Sequence, residues 1–198
     1  MRVIGGTARG RRLLAPAKPS VRPTSDRVRE AIFDVLGSLG GVEGAVVLDC
    51  FAGSGALGIE ALSRGAASVT FVDRDADALA AVRANLAAVG FGGDLSTRLV
   101  RADALAFVSD PAVGRYDLAL LDPPYRFERW APLLERLRAE TAVLESSSPV
   151  ELVPPWHLYR AYRYGGTLVT VATEAASPAK ASRERRSGAG AQPGAGGR

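Results

Sequence analysis

Between Ala45 and Glu145 strand-length apolar runs alternate with segments of helical period, and this alternation limits the folds open to the chain more than any other feature. "AVVLDC" reads as a buried strand, and "GSGALGIEALSRG" as a loop leading into a helix that Gly65 can close. "SVTFVD" is a second strand. "DADALAAVRANLAAVG" is an Ala-rich helix with Asp75 or Asp77 at its start and Gly90 after its end. "STRLV", the short helix "DALAFV", the strand "YDLALL", the helix "RWAPLLERLRAE" and the strand "AVLE" continue the series. "WHLYRAYRY" and "TLVTVA" then flank Gly165-Gly166 as a hairpin. Parallel strands wound through helices and followed by an antiparallel pair predict an α/β fold with an open, doubly wound, Rossmann-like sheet.

Two segments precede that body. "RVIGGTARGRRLLAP" predicts a β-hairpin arm whose turns carry Arg9, Arg11 and Arg12. "RPTSDRVREAIFDVLGSL" predicts a helix with capping types at Thr24, Ser25 and Asp26, and with Val28, Ile32, Val35 and Leu39 on one face. The expected organisation is an arm over 1–23, a catalytic domain over 24–176 and a disordered Arg/Gly-rich tail over 177–198, which has almost no large apolar residues.

Charge is divided along the same lines. Residues 1–29 hold eight Arg/Lys against one acid, whereas residues 30–176 hold twelve bases against nineteen acids. The tail returns to a net +4. A basic arm on an acidic body points to a polyanion engaged through Arg9, Arg11 and Arg12. Other classes are disfavoured by composition. No run approaches the ~18 apolar residues of a membrane span, and the N-terminus has no long apolar signal core, so a cytoplasmic protein is expected. One cysteine excludes an internal disulfide, and with a single histidine it argues against a zinc site.

"LDCFAGSGALG" contains Gly53-x-Gly55-x-x-Gly58, and Asp73 follows about 20 residues later at the end of the second strand, as in a dinucleotide fingerprint. By itself the pattern fits NAD and a methyl donor equally. Its position separates them. In a dinucleotide fold the first glycine directly follows the strand, so that helix-start amides hold a pyrophosphate. Here Asp49 ends the strand four residues before Gly53 and would repel phosphate. S-adenosylmethionine carries an ammonium and a sulfonium and no phosphate, so it suits that carboxylate. Gly53, Ser54 and Gly55 would line its methionine and ribose, Asp73 would accept from the ribose hydroxyls, and Asp103 would face the adenine edge. Each acid could instead cap a helix or sit in an exposed loop, and for Asp103 the two readings are even.

The strand "LALL" ends in Asp122-Pro123-Pro124-Tyr125. The prolines stiffen the backbone where it leaves the sheet. Beside a methyl donor this turn has a chemical use. An exocyclic amine on a nucleobase is a poor nucleophile because its lone pair is delocalised into the ring. The Asp122 carboxylate and the Pro123 carbonyl can accept its two N–H bonds and favour a more localised lone pair. Pro123 and Pro124 fix that geometry in advance, and Tyr125 can stack on a base withdrawn from its surroundings.

Together "IGGTARGRRL", "RPTSDRVREAIF", "LDCFAGSGALGIEALSRGA", "FVDRD" and "DPPY" resemble the RsmD family, the bacterial 16S ribosomal RNA guanine-N2 methyltransferases, over about residues 2–173. The glycine loop and DPPY mark the wider class of amino-methyltransferases, and the two N-terminal motifs narrow it. The resemblance implies a class I S-adenosylmethionine-dependent methyltransferase fold and methylation of one guanine N2 in 16S rRNA. It further implies a small-subunit particle as partner; separately, a monomer is expected.

Other residues offer less. Cys50 could be imagined as a nucleophile, yet it lies inside the glycine-loop motif and reads as a small buried residue. His157 reads as a structural or surface residue and Trp130 as part of a packing face, while Glu145 ends a strand at the functional edge without an assigned role. A DNA adenine-N6 or cytosine-N4 methyltransferase would share the site but needs a target-recognition domain that this length hardly accommodates. An NAD-dependent oxidoreductase leaves DPPY and the arm unexplained, and a non-catalytic RNA-binding assembly module would have no need of an intact DPPY.

Overall fold

The computed structural model describes residues 1–14, 25–93, 95–124 and 126–174. Tyr125, Thr24, the end of the arm and the tail lie outside the described residues. The first helix, α1 (Asp26–Ser38), starts where the Ser25 hydroxyl accepts from the Val28 N–H. Strands and helices then alternate as β1 (Val46–Cys50), α2 (Ala56–Ser63), β2 (Ser68–Asp73), α3 (Ala76–Ala88), β3 (Thr97–Arg101), α4 (Ala104–Ser109), β4 (Tyr116–Leu121), α5 (Trp130–Arg136) and β5 (Ala139–Ser146). The hairpin β6 (Trp156–Tyr164) and β7 (Thr167–Glu174) closes the chain.

The seven strands form one sheet in the order β3-β2-β1-β4-β5-β7-β6, parallel from β3 to β5 and antiparallel beyond. This is the doubly wound α/β architecture the alternation predicts. Two apolar layers cover the sheet. Val28, Ile32 and Phe33 of α1 pack with Leu57 and Ile59 of α2 and Val82 of α3 on one face. Phe107 of α4 and Leu133 and Leu134 of α5 cover the other.

The largest boundary difference from the sequence reading lies between α5 and β5; smaller ones extend β7 to Glu174 and leave Asp49 one residue inside β1, which ends at Cys50. The helix expected through Glu140 ends at Arg136, and Ala139 and Glu140 belong to β5. Leu137 is extended (φ −67°, ψ 126°), and Ala139 pairs in register with Tyr116. Ladder hydrogen bonds and the full burial of Ala139 override the helical propensity of "RLRAE".

The N-terminal residues are stitched to the body. Val3, Ala8 and Leu13 are buried in the α1–α3 layer. Arg2 and Arg12 form an antiparallel bridge, and the fully buried Glu60 of α2 accepts from the N–H groups of Ile4 (2.7 Å) and Gly5 (2.8 Å). The Ser63 hydroxyl accepts from the Ala8 N–H, and its carbonyl from the Thr7 N–H. Gly6 has φ +72°, and any Cβ there would fall 1.7 Å from the Ser63 carbonyl oxygen. Only glycine lets this loop lie so close to the end of α2. Arg9, Arg11 and Arg12 point into solvent from the docked hairpin.

Candidate active site

Chain order reverses between β1 and β4, so a crevice opens where these adjacent strands end, the position at which open α/β sheets bind ligands. Cys50 pairs with Leu121, which sets the glycine loop after β1 alongside the Asp122 turn after β4.

The glycine loop begins with a left-handed Phe51 (φ 61°), and Gly55 (φ 76°) occupies the N-cap of α2 without a capping side chain. Asp73, at the end of β2, holds the loop from the side: one carboxylate oxygen accepts from the Gly53 N–H (3.0 Å) and the other from the Asp75 N–H (2.9 Å). Asp49 lies beneath it, almost fully buried, and accepts from the Gly58 N–H at 2.9 Å. A Cβ on Gly58 would lie 2.4 Å from the Phe71 ring and 2.9 Å from the Asp49 carboxylate, so this close approach of helix to sheet requires glycine. Burial raises the Asp49 carboxyl well above its usual range against the Gly58 hydrogen bond, and the nearby charges of Asp122 and Asp73 raise it further. Three carboxylates thus share a loop with no side-chain cation of its own. That electrostatic setting favours a cationic ligand and opposes a pyrophosphate.

The other glycine-loop candidates divide. The Ser54 carbonyl accepts from Asn85 (2.9 Å) and its hydroxyl faces the Met1 sulfur (3.8 Å), so its side chain ties the loop to the N-terminal hairpin. Asp103 caps α4, accepting from Leu105 and Ala106, and its second oxygen meets Arg129 at 3.1 Å. Partial burial works against its charge, but the Ala106 N–H, Arg129 and the Leu105 N–H together hold the carboxyl below its usual range. It stands at the same edge of the sheet as Asp73, whose register partner is Arg101.

Asp122, Pro123 and Pro124 line a cleft of about 500 Å³, of a size typical for small-ligand sites. The turn closes through the Phe127 N–H, which the Pro124 carbonyl accepts at 3.2 Å. Phe127 lies edge-on to Phe51 (5.2 Å) and to Trp130 (5.1 Å), pinning the turn to the glycine loop. The lining also includes Glu145 and Ser146 from β5, Thr167 from β7, Ser25 at the N-cap of α1 and Val28 within that helix. Glu145 is only 5% exposed, which gives the cleft a second carboxylate beside Asp122. The sequence placed Glu145 at the functional edge without a role. It carried no signal for the Phe51–Phe127 contact or for the α1 contribution.

Cys50 is fully buried, and desolvation followed by the Asp49 charge pushes its thiol far above the ordinary range, so it is not poised as a nucleophile. His157 is an exposed residue of β6. Among the described residues no group of acids, His and Cys could hold a metal, and no helix is long and apolar enough to cross a membrane.

The family model described as conserved hypothetical protein 95 matches residues 1–172. The chain is 39% identical over 170 residues to ribosomal RNA small subunit methyltransferase D of Escherichia coli K12, spanning 81% of this chain and 83% of that one. The Haemophilus influenzae protein of the same name is 36% identical over 128 residues, or 64% and 65% of the two chains. A solved structure of the Escherichia coli protein YhhF superposes with a TM-score of 0.77 at 32% identity, covering 89% of this chain and 99% of its own. A hypothetical protein of Thermus thermophilus superposes with a TM-score of 0.74 at 31% identity, covering 88% of this chain and 99% of its own.

Proposed function

Given that this chain belongs to the RsmD family, the family described as conserved hypothetical protein 95, we propose that it methylates the exocyclic N2 of one guanine in 16S ribosomal RNA. The methyl donor is S-adenosylmethionine. The substrate is an assembled small-subunit particle in the cytoplasm, met by the enzyme as a monomer. The observation that carries this reading is the adjacency of two unlike sites at one sheet edge: a carboxylate-walled glycine loop and the Asp122-Pro123-Pro124 cleft.

The residues fit the donor. Asp49 and Asp73 suit its cationic end and its ribose hydroxyls, and the Gly53–Gly55 backbone admits close approach. When bound, the donor supplies an electrophilic methyl group on a sulfonium. The protein supplies orientation. Asp122 and the Pro123 carbonyl accept the two N–H bonds of the amine and hold its lone pair toward the glycine loop. Glu145, on the neighbouring strand beside Asp122, accepts from the ring N1–H of guanine, a donor that adenine and cytosine lack at that position. Tyr125 stacks on the base.

The test is to incubate small-subunit particles, isolated from cells lacking this protein, with S-adenosylmethionine and the enzyme, then map modified nucleosides by mass spectrometry. A single new N2-methylguanosine is expected. Methylation of DNA, or of adenine or cytosine, would overturn the assignment.

A further inference from the structure

The edge strand β6 ends at the cleft, because its turn with β7, Gly165-Gly166, lies on the cleft rim with Tyr164 and Thr167. Tyr162 pairs with Val169 and Arg160 with Val171. Both valines belong to the layer of α1, so Arg160, Tyr162 and Tyr164 form a stripe on that face, running toward the cleft. The Tyr162 and Tyr164 rings are 6.3 Å apart and tilted by 33°. Arg160 donates to the Tyr162 hydroxyl at 2.8 Å and lies 5.8 Å from that ring and 5.9 Å from Tyr159. Tyr159 is 41% exposed, at the register shift between Leu158 and Arg160. The strand has two arginines and no acid, although residues 30–176 are net acidic.

Charge on an edge strand often serves only to prevent edge-to-edge pairing. That role needs no row of aromatic rings leading to a substrate cleft. We propose that Tyr159, Arg160, Tyr162 and Tyr164 are a stacking platform for single-stranded RNA flanking the target nucleotide. The proposal rests on the reading of the cleft as a nucleobase site. Ring faces stack on bases regardless of sequence, and the guanidinium meets the adjoining phosphate. The platform would keep the target loop unstacked where its guanine enters beside Asp122.

Binding of a short single-stranded RNA oligonucleotide, followed by fluorescence anisotropy at several salt concentrations without methyl donor, tests this. Tyr162→Leu keeps an apolar side chain against the core and should weaken binding about fivefold or more, with the salt slope unchanged. Arg160→Ala should lower the slope by about 0.7. Arg163→Ala, on the opposite sheet face, should have a smaller effect than Arg160→Ala. Affinity for S-adenosylmethionine should stay constant in all three. Unchanged RNA binding in both Tyr162→Leu and Arg160→Ala, or equal losses in Arg160→Ala and Arg163→Ala, would overturn the platform. So would loss of particle binding with oligonucleotide binding intact, which would assign the strand to a ribosomal protein. Because no turnover is measured, a failure of methyl transfer would count against the function and leave the platform's own test standing.

Discussion

Phe51 and Phe127 are 76 positions apart in sequence, yet their rings meet edge to face at 5.2 Å. One belongs to the glycine loop and the other to the turn that closes Asp122-Pro123-Pro124. The pair therefore ties the glycine loop to the Asp122 turn, the two elements proposed to hold the donor and the amine. Methyl transfer depends strongly on the distance between donor and amine. Phe127→Ala is expected to lower kcat by about tenfold or more while the protein stays folded, and Phe127→Leu should recover part of the loss. Equal kcat in wild type and Phe127→Ala would show that the turn keeps its place without the ring.

The proposed roles of Asp122 and Asp73 separate chemistry from binding. Asp122→Ala should remove methyl transfer, leaving less than about a tenth of wild-type turnover, with donor affinity nearly intact. Asp73→Ala should instead weaken S-adenosylmethionine binding by about 1.5–3 kcal/mol, since both a ligand contact and the support of Gly53 are lost. Calorimetric titration beside a turnover assay reads both. A reversed pattern would exchange the two roles.

Asp49 yields a pH prediction. Its carboxyl is raised by burial from an ordinary value of 3.8, so the folded state holds the proton more tightly than the unfolded chain does. Stability contributed by this group is fully present below the unfolded value and is lost as pH rises through the folded one. Asp49→Asn keeps an oxygen for the Gly58 N–H without an ionisable proton. The variant should match wild type in acid and become the more stable of the two as pH rises. The same substitution removes the carboxylate proposed to suit the cationic end of the donor, so S-adenosylmethionine affinity should fall about tenfold or more. Denaturation midpoints and donor titrations across pH would show both effects, and parallel pH profiles for the two proteins would refute the assignment.

The sequence made these acids legible because each lies within one residue of the end of an apolar strand, and strand ends in a parallel sheet converge on one edge; Asp49 itself is followed by Cys50 within β1 rather than ending the strand as the sequence suggests. The fold was legible for the same reason: periodicity switches clearly between strand and helix from β1 to β4. It was less legible at "RLRAE", where pairing with β4 outweighs local propensity. Asp103 illustrates ambiguity of another kind, since a strand-end acid that also opens a helix has two uses and the structure displays the cap. Glu60 was invisible. An acid within "GIEALS" looks like a helix surface residue, and only the docked hairpin and Arg29 make it a buried one.

Glu60 predicts how firmly the hairpin is held. It accepts from Ile4, Gly5 and Arg64, and it lies 3.6 Å from the fully buried Arg29, which also donates to the Arg2 carbonyl. Removing the carboxylate takes away one of the two acids paired with the buried guanidinium, leaving Asp26 as the other, and strands two backbone donors. Glu60→Ala should cost about 3–5 kcal/mol in chemical denaturation and make the first residues sensitive to protease. Glu60→Gln, which keeps one acceptor, should lie between. A loss below about 1 kcal/mol for Glu60→Ala would mean that the apolar contacts of Val3, Ala8 and Leu13 and the bonds to Ser63 hold the hairpin without it.

The docked hairpin also sharpens what its arginines should do. Their backbone is anchored by main-chain bonds, Val3 N–H to the Arg11 carbonyl and Leu13 N–H to the Met1 carbonyl, together with the contacts to Ser63. The guanidinium groups of Arg9, Arg11 and Arg12 take no part in those bonds and are exposed. Replacing all three with alanine should therefore leave the hairpin docked and the denaturation midpoint close to wild type. The body behind them is net acidic, so phosphate contacts should concentrate on this surface. Each lost contact lowers the slope of log affinity against log salt by about 0.7–0.9, giving a fall of about 2–3 for the triple variant. Binding to small-subunit particles should weaken most at low salt and converge with wild type as salt rises, with S-adenosylmethionine affinity unaltered. Titrations at a series of salt concentrations measure the slope directly. An unchanged slope would show that these arginines face solvent in the complex and that the RNA is held elsewhere.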